Sequence, residues 1–581
     1  MLNEREFNLL YAIKKGGITT YRDLAKRSNL SLGSVANTMK DFSDRGLIND
    51  GKITELGIAC LSPYKVKNAI ILAAGMSTRF VPLSYDTPKG LLEVKGEILI
   101  ERQIKQLKEA GITEIYLVLG YKKELFFYLA EKYDLKIIVN PFYNVKNNIE
   151  SLFLASHLIG NSYICASDNY FSTNIYEEYE YSSLFTTVHV KDNLDECYAV
   201  TKDNDIIRKI IKGSPKGGDI IIGSAYFDSE FAKSFLPILN NARSSKEYDS
   251  EFFEILIADN LKKLPPIRKK DFKDVIFEFD SLDELRKFDD KYIDNVDSKI
   301  LNNIAKFFKC KIGEITNLTL IKEGLTNTTF SFEIKNKRYV YRYSDHYKDK
   351  ALNRKHEKRV LEIIKNCGLE DDYLFEDSDE GWKISNYIEN QGHPNYANDN
   401  HNNLVIDKLI RLREANLHVD WIFDPFEEAC RLEKLIYQKN DIKMKDFPYL
   451  KSKMKEFQNI NKKTQIYPNR LCHCDSYYGN WLLDKENGIH LIDWEYSGEA
   501  DPCIDICFYV ADGDFNKQKA REIFTRYLGE NSSEENINHC FRLTALVAFY
   551  YFVWALYKEA NGVVMGESLY IWYKVVKSFI K

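Results

Sequence analysis

Short apolar runs alternate with amphipathic segments between about residues 66 and 290. The runs predict strands and the helical spacing predicts helices, which together indicate a mostly parallel sheet with helices on both faces. The predicted strands are 69–73, 115–119, 136–140 and 162–167, and the predicted helices lie near 100–110, 122–133 and 149–159. We therefore predict an α/β domain over residues 66–293.

A different pattern precedes this region. Helical periodicity covers 4–15, 20–28 and 31–45, and two short segments near 46–48 and 52–54 have the composition of strands. A short turn at Asn29-Leu30 separates the second and third helices, as in a helix-turn-helix. Residues 1–65 therefore predict a winged helix domain.

The last predicted domain covers residues 294–581. Residues 320–334 indicate two strands about a polar turn, and 338–343 indicate a third strand that carries Arg342. A helical segment with Glu357 follows. The most apolar later stretch, 543–556, is shorter than a membrane-spanning helix. The pattern indicates an α+β domain.

Composition narrows the classes of function. The 581 residues are 44% hydrophobic and 29% charged with a net charge of −5, so no basic excess indicates nucleic acid as the main partner. The N-terminus lacks an apolar signal core, and eleven cysteines show no disulfide framework. We expect a cytoplasmic protein with no membrane partner.

The charge of the first domain leaves its partner open. Ten Lys/Arg and seven Asp/Glu give residues 1–65 a net charge of +3, which is a small footprint for phosphate contacts. DNA binding is one interpretation. Docking or dimerisation is the other, and a homodimer is possible on that interpretation.

The stretch 68–92 has the composition of a phosphate-binding segment. A continuous apolar strand runs into a loop of small residues that contains Gly75, and the cations Arg79 and Lys89 follow. Glycine lets backbone N–H groups approach phosphate oxygens, and the cations neutralise phosphate charge. The loop leaves the carboxyl end of its strand, where α/β sheets bind ligands.

Acidic residues provide two candidate metal positions. Asp168 follows the strand 162–167, where a carboxylate could hold Mg²⁺ against a triphosphate. The alternating segment 274–280, taken as a strand, places Glu278 and Asp280 on one face.

The motifs LAAGMSTR, TPKGLLEVKG and LIERQIKQLKEAGITEIYLVLGY resemble nucleotidyltransferases, and NVKNNIESLFLAS, Ser167-Asp168-Asn169 and EFDSLDEL resemble the CTP:phosphocholine cytidylyltransferases. The resemblance implies a Rossmann-like domain with Mg²⁺ held by Asp168, Glu278 and Asp280. It implies that Arg79 and Lys89 act in catalysis. The implied nucleotide-binding residues are Leu72, Ala73, Ala74, Gly75, Arg79 and Lys89.

The resemblance weakens between 190 and 265, where the phosphocholine pocket would lie. The aromatic residues available there have core packing as their default interpretation. They are Tyr226, Tyr248, Phe252 and Phe253.

The third domain carries the pattern of a phosphotransferase. The segment from His473 to Asn480 matches the kinase catalytic loop H-x-D-x-x-x-x-N, and Asp493 follows in the place of the metal-binding aspartate. Asp475 can accept the proton of an attacking hydroxyl, while Asn480 and Asp493 hold Mg²⁺. Arg342 paired with Glu357 would position the ATP phosphates.

The segments LCHCDSYYGNWLL, LIDWEYSGEADPCIDI, EGLTNTTF and ISNYIE resemble choline kinases. The resemblance implies a protein-kinase-like, aminoglycoside-phosphotransferase-like fold. It also implies an aromatic and acidic pocket for the trimethylammonium group, formed by Glu495, Tyr551, Trp554 and Trp572, with Tyr573 as a further candidate. Tyr551 stands where this family usually has a second tryptophan. Because Tyr is a weaker cation–π partner than Trp, the choice between choline and ethanolamine as the substrate stays open.

A cysteine cluster admits a second interpretation. Cys472, His473 and Cys474, with Cys503 and Cys507 downstream, could bind zinc. However, Cys-x-Cys is not a usual zinc spacing. Burial as small hydrophobic side chains is preferred.

These features predict a bifunctional transferase that converts choline, ATP and CTP to CDP-choline through phosphocholine, with Mg²⁺. Three alternatives stay open: ethanolamine as the amino alcohol, a sugar kinase fused to a sugar-1-phosphate nucleotidyltransferase, and a transcriptional regulator that senses ligands. A sugar site would need several hydroxyl-binding groups, whereas the helix around Trp554 is aromatic.

Overall fold

The computed structural model describes residues 2–580 except 17–19, 192–193, 203–204, 214–215, 295, 324–326, 345–352, 371, 440, 487 and 564. The chain forms two compact units, Met1–Thr319 and Leu320–Lys581. The predicted boundaries at 65/66 and 293/294 stay predictions.

The first unit begins with three helices and a two-stranded wing. The helices enclose a small apolar core that includes Leu10, Val35 and Phe42. The elements are α1 (Glu4–Gly16), α2 (Tyr21–Ser28), α3 (Leu32–Asp44), β1 (Ile48–Asn49), β2 (Lys52–Ile53) and α4 (Glu55–Leu61). Thr20 and Ser31 cap α2 and α3, which explains where these helices begin.

This N-terminal bundle packs directly on the rest of its unit. Tyr179 lies in the core of the bundle, and the Tyr11 hydroxyl donates to Glu177 over 2.9 Å. Lys14 lies 2.5 Å from Glu178, and Arg268 forms a bidentate ion pair with Glu4. The bundle and the following domain therefore share a packed interface.

A nine-stranded sheet forms the body of the first unit. Strands β8, β3, β6 and β7 are parallel, and β13, β11 and β12 continue the sheet antiparallel from β8. The predicted parallel order is thus confined to one half of the sheet. The elements are β3 (Asn68–Ala73), α5 (Leu83–Asp86), β4 (Glu93–Val94), β5 (Glu97–Ile98), α6 (Leu99–Glu109), β6 (Ile115–Leu119), α7 (Tyr128–Tyr133), β7 (Lys136–Val139), α8 (Asn148–Leu154), β8 (Ser162–Ala166), β9 (Asn169–Phe171), β10 (Leu184–Val190), β11 (Cys197–Thr201), β12 (Ile207–Lys212), β13 (Gly218–Phe227), α9 (Ser229–Arg243), α10 (Phe253–Asn260), β14 (Arg268–Asp271), β15 (Ile276–Glu278), α11 (Leu282–Phe288), α12 (Lys291–Asp294) and α13 (Lys299–Phe308).

Two predicted elements are shorter than expected. The segment 274–280 is a strand only over β15, because Asp274 adopts a left-handed turn conformation (φ 57°) and the partner strand β9 has three residues. The helix expected near 122–133 begins with a 3-10 turn, Lys123–Phe126, after the left-handed Lys122 (φ 45°).

The second unit has a five-stranded sheet followed by a helical region. The sheet has the order β16-β17-β18-β20-β19, and the predicted polar turn at 324–326 lies outside the described residues. The elements are β16 (Thr316–Glu323, which crosses the unit boundary), β17 (Asn327–Ile334), β18 (Lys337–Ser344), α14 (Arg354–Asn366), β19 (Tyr373–Asp377), β20 (Trp382–Asn386), β21 (Asn390–Gly392), α15 (Asp399–Glu414), α16 (Pro425–Tyr437), α17 (Phe447–Asn461), β22 (Arg470–Cys472), β23 (Trp481–Asp484), β24 (Ile489–Leu491), β25 (Gly498–Ala500), α18 (Cys503–Asp512), α19 (Lys517–Leu528), α20 (Glu534–Ala560) and α21 (Glu567–Ile580).

Helix α20 is the centre of the helical region. It contacts α16, α17, α18 and α21. Among the described residues it is the one helix long and apolar enough to cross a membrane, and 72% of its most apolar window is buried inside the protein. The apolar stretch 543–556 is therefore part of a longer helix than the sequence predicted, and its length and composition alone do not distinguish a core helix from a span.

Candidate active sites

The loop after β3 opens into a cavity of about 660 Å³. Strand β3 is buried in the middle of the parallel half of the sheet, so its carboxyl end reaches the edge where the neighbouring strand β8 also ends. Every residue predicted for the nucleotidyltransferase site lines this cavity. They are Leu72, Ala73, Ala74, Gly75, Arg79, Lys89, Asp168, Glu278 and Asp280.

Lys89 is the centre of this site. Its side chain is 6% exposed, and its Nζ lies 3.0 Å from Asp168, 3.4 Å from Glu278 and 4.0 Å from Asp280. Burial alone would lower the pKa of Lys89, but the three carboxylates outweigh it and raise the pKa. The lysine is therefore held in its charged form inside the cavity.

The carboxylates around Lys89 carry more negative charge than one lysine neutralises. Burial, followed by repulsion from Asp168, raises the pKa of Glu278 to about 7 against the attraction of Lys89. Such a pocket has the chemistry to bind a divalent cation together with phosphate oxygens. Among the described residues, however, no group of three or more His, Cys, Asp or Glu is arranged to hold a metal by itself.

Arg79 lies at the rim of the cavity. Its side chain is 60% exposed, with NH1 3.5 Å from Asp280 and 4.0 Å from Glu196. The residue can therefore reach a bound phosphate without loss of a strong partner.

The sequence did not identify four carboxylates that line the same cavity, Asp195, Glu196, Asp249 and Glu254. Burial raises the pKa of Glu196, with Asp280 as the next cause, and burial raises the pKa of Glu254 to about 7. Oε2 of Glu254 is buried and has no hydrogen-bond partner in the structure. A carboxylate within the apolar run Phe252–Ile257 was the signal available in the sequence.

The aromatic candidates of this region separate into two groups. Phe252 and Phe253 line the cavity, as does Tyr143, which the sequence did not identify. Tyr226 is buried in the core, and the Tyr248 hydroxyl donates to Asp259 over 3.0 Å.

The second unit places the predicted catalytic loop after β22. Asp505 at the start of α18 accepts hydrogen bonds from the backbone N–H groups of His473 (2.9 Å) and Cys474 (2.8 Å), which fixes the loop. The loop turns at Cys474, whose φ is 61°. Burial lowers the pKa of His473 to about 4, and its Nε2 lies 2.9 Å from the Ile492 carbonyl oxygen. His473 is therefore a neutral structural residue.

Asp475 is held at both carboxylate oxygens. The Asn480 amide donates to Oδ2 over 3.0 Å, and the Tyr551 hydroxyl donates to Oδ1 over 2.8 Å. Burial raises the pKa of Asp475, the bond from Tyr551 opposes it, and Asp493 and Glu495 add to the increase by repulsion. Asp475, Asp493 and Glu495 therefore lie close enough together to repel one another electrostatically.

Arg342 joins the strand β18 to the helix α14 and to Asp493. It donates to both oxygens of Glu357 over 2.5 Å and also contacts Asp493. Arg354 lies 2.8 Å from Glu357, and Lys383 lies 3.0 Å from it. The predicted Arg342–Glu357 pair is thus part of a larger network whose other cations the sequence did not identify.

Three of the residues predicted for the choline pocket form an aromatic cluster, while Glu495 and Tyr573 have other polar partners. The ring centroid of Tyr551 lies 4.9 Å from that of Trp572, and that of Trp554 lies 6.4 Å from that of Trp572. The Glu495 carboxylate lies 2.8 Å from Arg354 and 3.7 Å from Arg342. Its carboxylate belongs to the arginine network, and Tyr573 donates to Asp446 over 2.7 Å.

The cysteines of the candidate zinc cluster lie in the core of the second unit. Cys472, Cys474, Cys503 and Cys507 are at most 2% exposed and have free thiols. Burial raises the pKa of the Cys472 thiol. A neutral buried thiol behaves as a small hydrophobic group.

Three family models match the chain. A winged helix-turn-helix DNA-binding model matches residues 2–49, a MobA-like NTP transferase domain matches 69–170, and a choline/ethanolamine kinase model matches 401–542. These matches confirm the predicted architecture and fold classes.

Relatives cover two of these regions. The choline-phosphate cytidylyltransferase of Streptococcus pneumoniae is 35% identical over 38% of this chain and 96% of its own length. The 2-aminoethylphosphonate cytidylyltransferase of Lancefieldella rimae is 32% identical over 41% of this chain and 98% of its own. Protein LicA of Haemophilus influenzae is 25% identical over 42% of this chain and 94% of its own.

Two solved structures from Streptococcus pneumoniae are similar to parts of the chain. CTP:phosphocholine cytidylyltransferase (LicC) shares 36% identity with a TM-score of 0.37, over 38% of this chain and 97% of its own. Choline kinase LicA shares 22% identity with a TM-score of 0.42, over 48% of this chain and 97% of its own. On the coverage and identity of its relatives, the chain belongs to the choline-phosphate cytidylyltransferase family and is a transferase that also carries a choline/ethanolamine kinase domain and a winged helix-turn-helix domain.

Proposed function

We propose that the protein makes CDP-choline in two steps, phosphorylation of choline by ATP and cytidylyl transfer from CTP to the resulting phosphocholine. The observation that carries the proposal is that one chain combines two regions. One is the cavity around Lys89, in a chain similar to a choline-phosphate cytidylyltransferase, and the other is a catalytic loop within the match to the choline/ethanolamine kinase model. The product of the kinase is the substrate of the transferase.

In the first step Asp475 accepts the proton of the choline hydroxyl. The oxygen forms a bond to the γ-phosphorus of ATP while the bond to the β–γ bridging oxygen breaks, so ADP leaves. In this proposal Arg342, held by Glu357, binds the phosphates of ATP.

In the second step a phosphate oxygen of phosphocholine attacks the α-phosphorus of CTP. The bond to the α–β bridging oxygen breaks and pyrophosphate leaves. Lys89 and Arg79 stabilise the negative charge on the phosphates. No covalent intermediate with the protein is needed, because the phosphate is already an anionic nucleophile.

Mg²⁺ is the cofactor that we propose for both steps. Asp168, Glu278 and Asp280 would hold it in the transferase, and Asn480 and Asp493 in the kinase. When bound, it neutralises phosphate charge. In the transferase, the fit is supported by the excess of carboxylates around Lys89. Mg²⁺ commonly uses one or two carboxylates plus phosphate oxygens, so one or two of these carboxylates together with the nucleotide phosphates would suffice.

Glu254 is the residue that we propose for the cationic head group in the transferase. Glu254 lines the same cavity as Lys89, and its Oε2 is buried without a hydrogen-bond partner. Phe252 and Phe253 line this cavity as well. A quaternary ammonium cannot donate N–H bonds, so π-faces and a nearby carboxylate suit it.

Two other substrates have specific support. The 2-aminoethylphosphonate cytidylyltransferase relative makes an aminoalkylphosphonate a candidate for the transferase, and the choline/ethanolamine kinase match makes ethanolamine a candidate for the kinase. The presence of a kinase domain favours an amino alcohol over an aminoalkylphosphonate as the starting substrate, because an aminoalkylphosphonate needs no phosphorylation before cytidylyl transfer. DNA binding through residues 2–49, a homodimer and a cytoplasmic location stay predictions.

Purified protein tests the proposal directly. With choline, ATP, CTP and Mg²⁺ it should yield CDP-choline, ADP and pyrophosphate. Asp475→Asn should abolish phosphocholine formation and leave CDP-choline formation from added phosphocholine at the wild-type rate. Phosphocholine that accumulates without a CDP product would refute the transferase half. Full kinase activity in Asp475→Asn would refute the role of Asp475.

A further inference from the structure

We propose that Tyr551 is a positioning residue, which holds the Asp475 carboxylate in place to accept the substrate proton rather than forming a wall of the cation pocket. This inference rests on the proposed choline kinase activity. Tyr551 stands in α20, and Asp475 stands in the loop after β22, so the contact joins two elements 76 residues apart in sequence.

The hydrogen bonds around Asp475 fix both of its oxygens. The Tyr551 hydroxyl donates to Oδ1 over 2.8 Å, and the Asn480 amide donates to Oδ2 over 3.0 Å and to the Asp475 carbonyl oxygen over 2.8 Å. A carboxylate has about four lone-pair positions, so each oxygen can still accept another hydrogen. The two donors therefore set the carboxylate plane and leave it able to accept the proton of an alcohol.

The ring of Tyr551 is surrounded by other aromatic rings. Its centroid lies 4.9 Å from Trp572, 5.0 Å from Phe508 and 5.9 Å from Tyr550, and the residue is 5% exposed. A cation–π contact needs a cation over the ring face within about 6 Å. These neighbours restrict access to the ring, while its hydroxyl contacts the base.

Trp554 also has a cation close to its ring. The Lys558 ammonium lies 5.2 Å from the ring centroid. A choline bound against this face would have to share it with Lys558. Tyr551 stands where the family usually has a second tryptophan, and unlike a tryptophan it brings a hydroxyl to Asp475.

Steady-state kinetics of the full-length protein separates the two roles. Tyr551→Phe keeps the ring and removes the hydroxyl, so it should lower kcat for choline phosphorylation by about 10- to 100-fold, the value of a hydrogen bond to a charged group. The KM for choline should change by less than about twofold. Tyr551→Trp should also lose kcat, although Trp is the stronger cation–π partner.

Tyr550→Phe is the matched control, since this tyrosine neighbours Tyr551 in α20 and Asp475 accepts none of its hydrogen bonds among the described contacts. It should keep wild-type kcat. CDP-choline formation from added phosphocholine, measured on the same preparations, should be unchanged in all variants. The choline dissociation constant of Tyr551→Phe, measured by calorimetry, should stay within twofold of wild type and shows that the pocket has folded.

The outcomes distinguish a failure of this inference from a failure of the proposed choline kinase activity on which it rests. Wild-type protein that does not phosphorylate choline would refute the proposed function. Active wild type together with full kcat in Tyr551→Phe would refute the positioning role alone. A Tyr551→Trp variant with a lower KM for choline and an unchanged kcat would assign the position to cation binding instead.

Discussion

Replacing Lys89 with methionine removes the cation around which the transferase cavity is built. Three carboxylates lie within 4.0 Å of its Nζ, at 3.0, 3.4 and 4.0 Å. Loss of one donor to a developing phosphate charge typically lowers kcat by about 10²- to 10³-fold. We therefore expect Lys89→Met to lower CDP-choline formation from phosphocholine and CTP by that factor.

The same substitution should change the stability of the first unit. Removal of one partner from a buried ion pair can cost about 3–5 kcal/mol. The cost here should be lower, about 2 kcal/mol, because Glu278 already has a pKa of about 7 and can take up a proton when Lys89 is lost. Mg²⁺ should recover part of the loss in a thermal unfolding experiment, because it binds the same carboxylates.

Lys67→Met provides the control. Lys67 is exposed directly before β3 and carries the same charge. The assay measures CDP-choline by mass spectrometry and choline phosphorylation on the same preparation. Lys89→Met should lose only the first activity, and Lys67→Met should keep both. A Lys89→Met variant with more than a third of wild-type transferase activity would refute the role of Lys89.

Three further predictions concern other parts of the chain. Glu254→Gln should raise the KM for phosphocholine about tenfold with an unchanged KM for CTP. A KM for phosphocholine equal to that of the wild type would contradict a head-group role. The pKa of Glu254 in the folded protein is about 7, above that of an unfolded glutamate, so its ionisation costs stability as pH rises from about 4.5 to 7. Glu254→Gln should therefore stabilise the protein by about 1–2 kcal/mol at pH 8, after allowance for solvent screening, and have little effect at pH 4.5. Urea unfolding at the two pH values measures the difference. Deletion of residues 1–65 should lower the Tm and promote aggregation, because it exposes Tyr179 and leaves Glu178 without Lys14; a truncated chain with wild-type Tm and a single species in gel filtration would show that the docking is not structural.

Local pattern was sufficient to predict much of the fold. Strand β3 is a run of buried apolar residues that ends in a loop of small ones, so its position and the cavity edge follow from the sequence within one residue. The antiparallel half of the sheet did not follow, because β13 pairs with β8 across 51 residues that contain four other strands, β9 to β12.

The candidate sites show the same division. Asp168, Glu278 and Asp280 came from motifs, and the structure brings all three to Lys89. Glu254, Arg354 and the contact between Tyr551 and Asp475 depend on which side chains meet after folding. Sequence spacing carries no such information. Glu495 illustrates the limit, since Arg354 binds the carboxylate that the motif placed in the choline pocket.

Substrate identity is the point on which the proposed function depends most. Choline labelled with deuterium on its methyl groups should be supplied with ATP and Mg²⁺, equal amounts of CTP, UTP and GTP, and unlabelled ethanolamine and 2-aminoethylphosphonate. Mass spectrometry should find the label in CDP-choline as the main nucleotide product. A main product that carries ethanolamine or 2-aminoethylphosphonate, a uridine or guanosine product, or labelled phosphocholine with no nucleotide product would contradict CDP-choline synthesis.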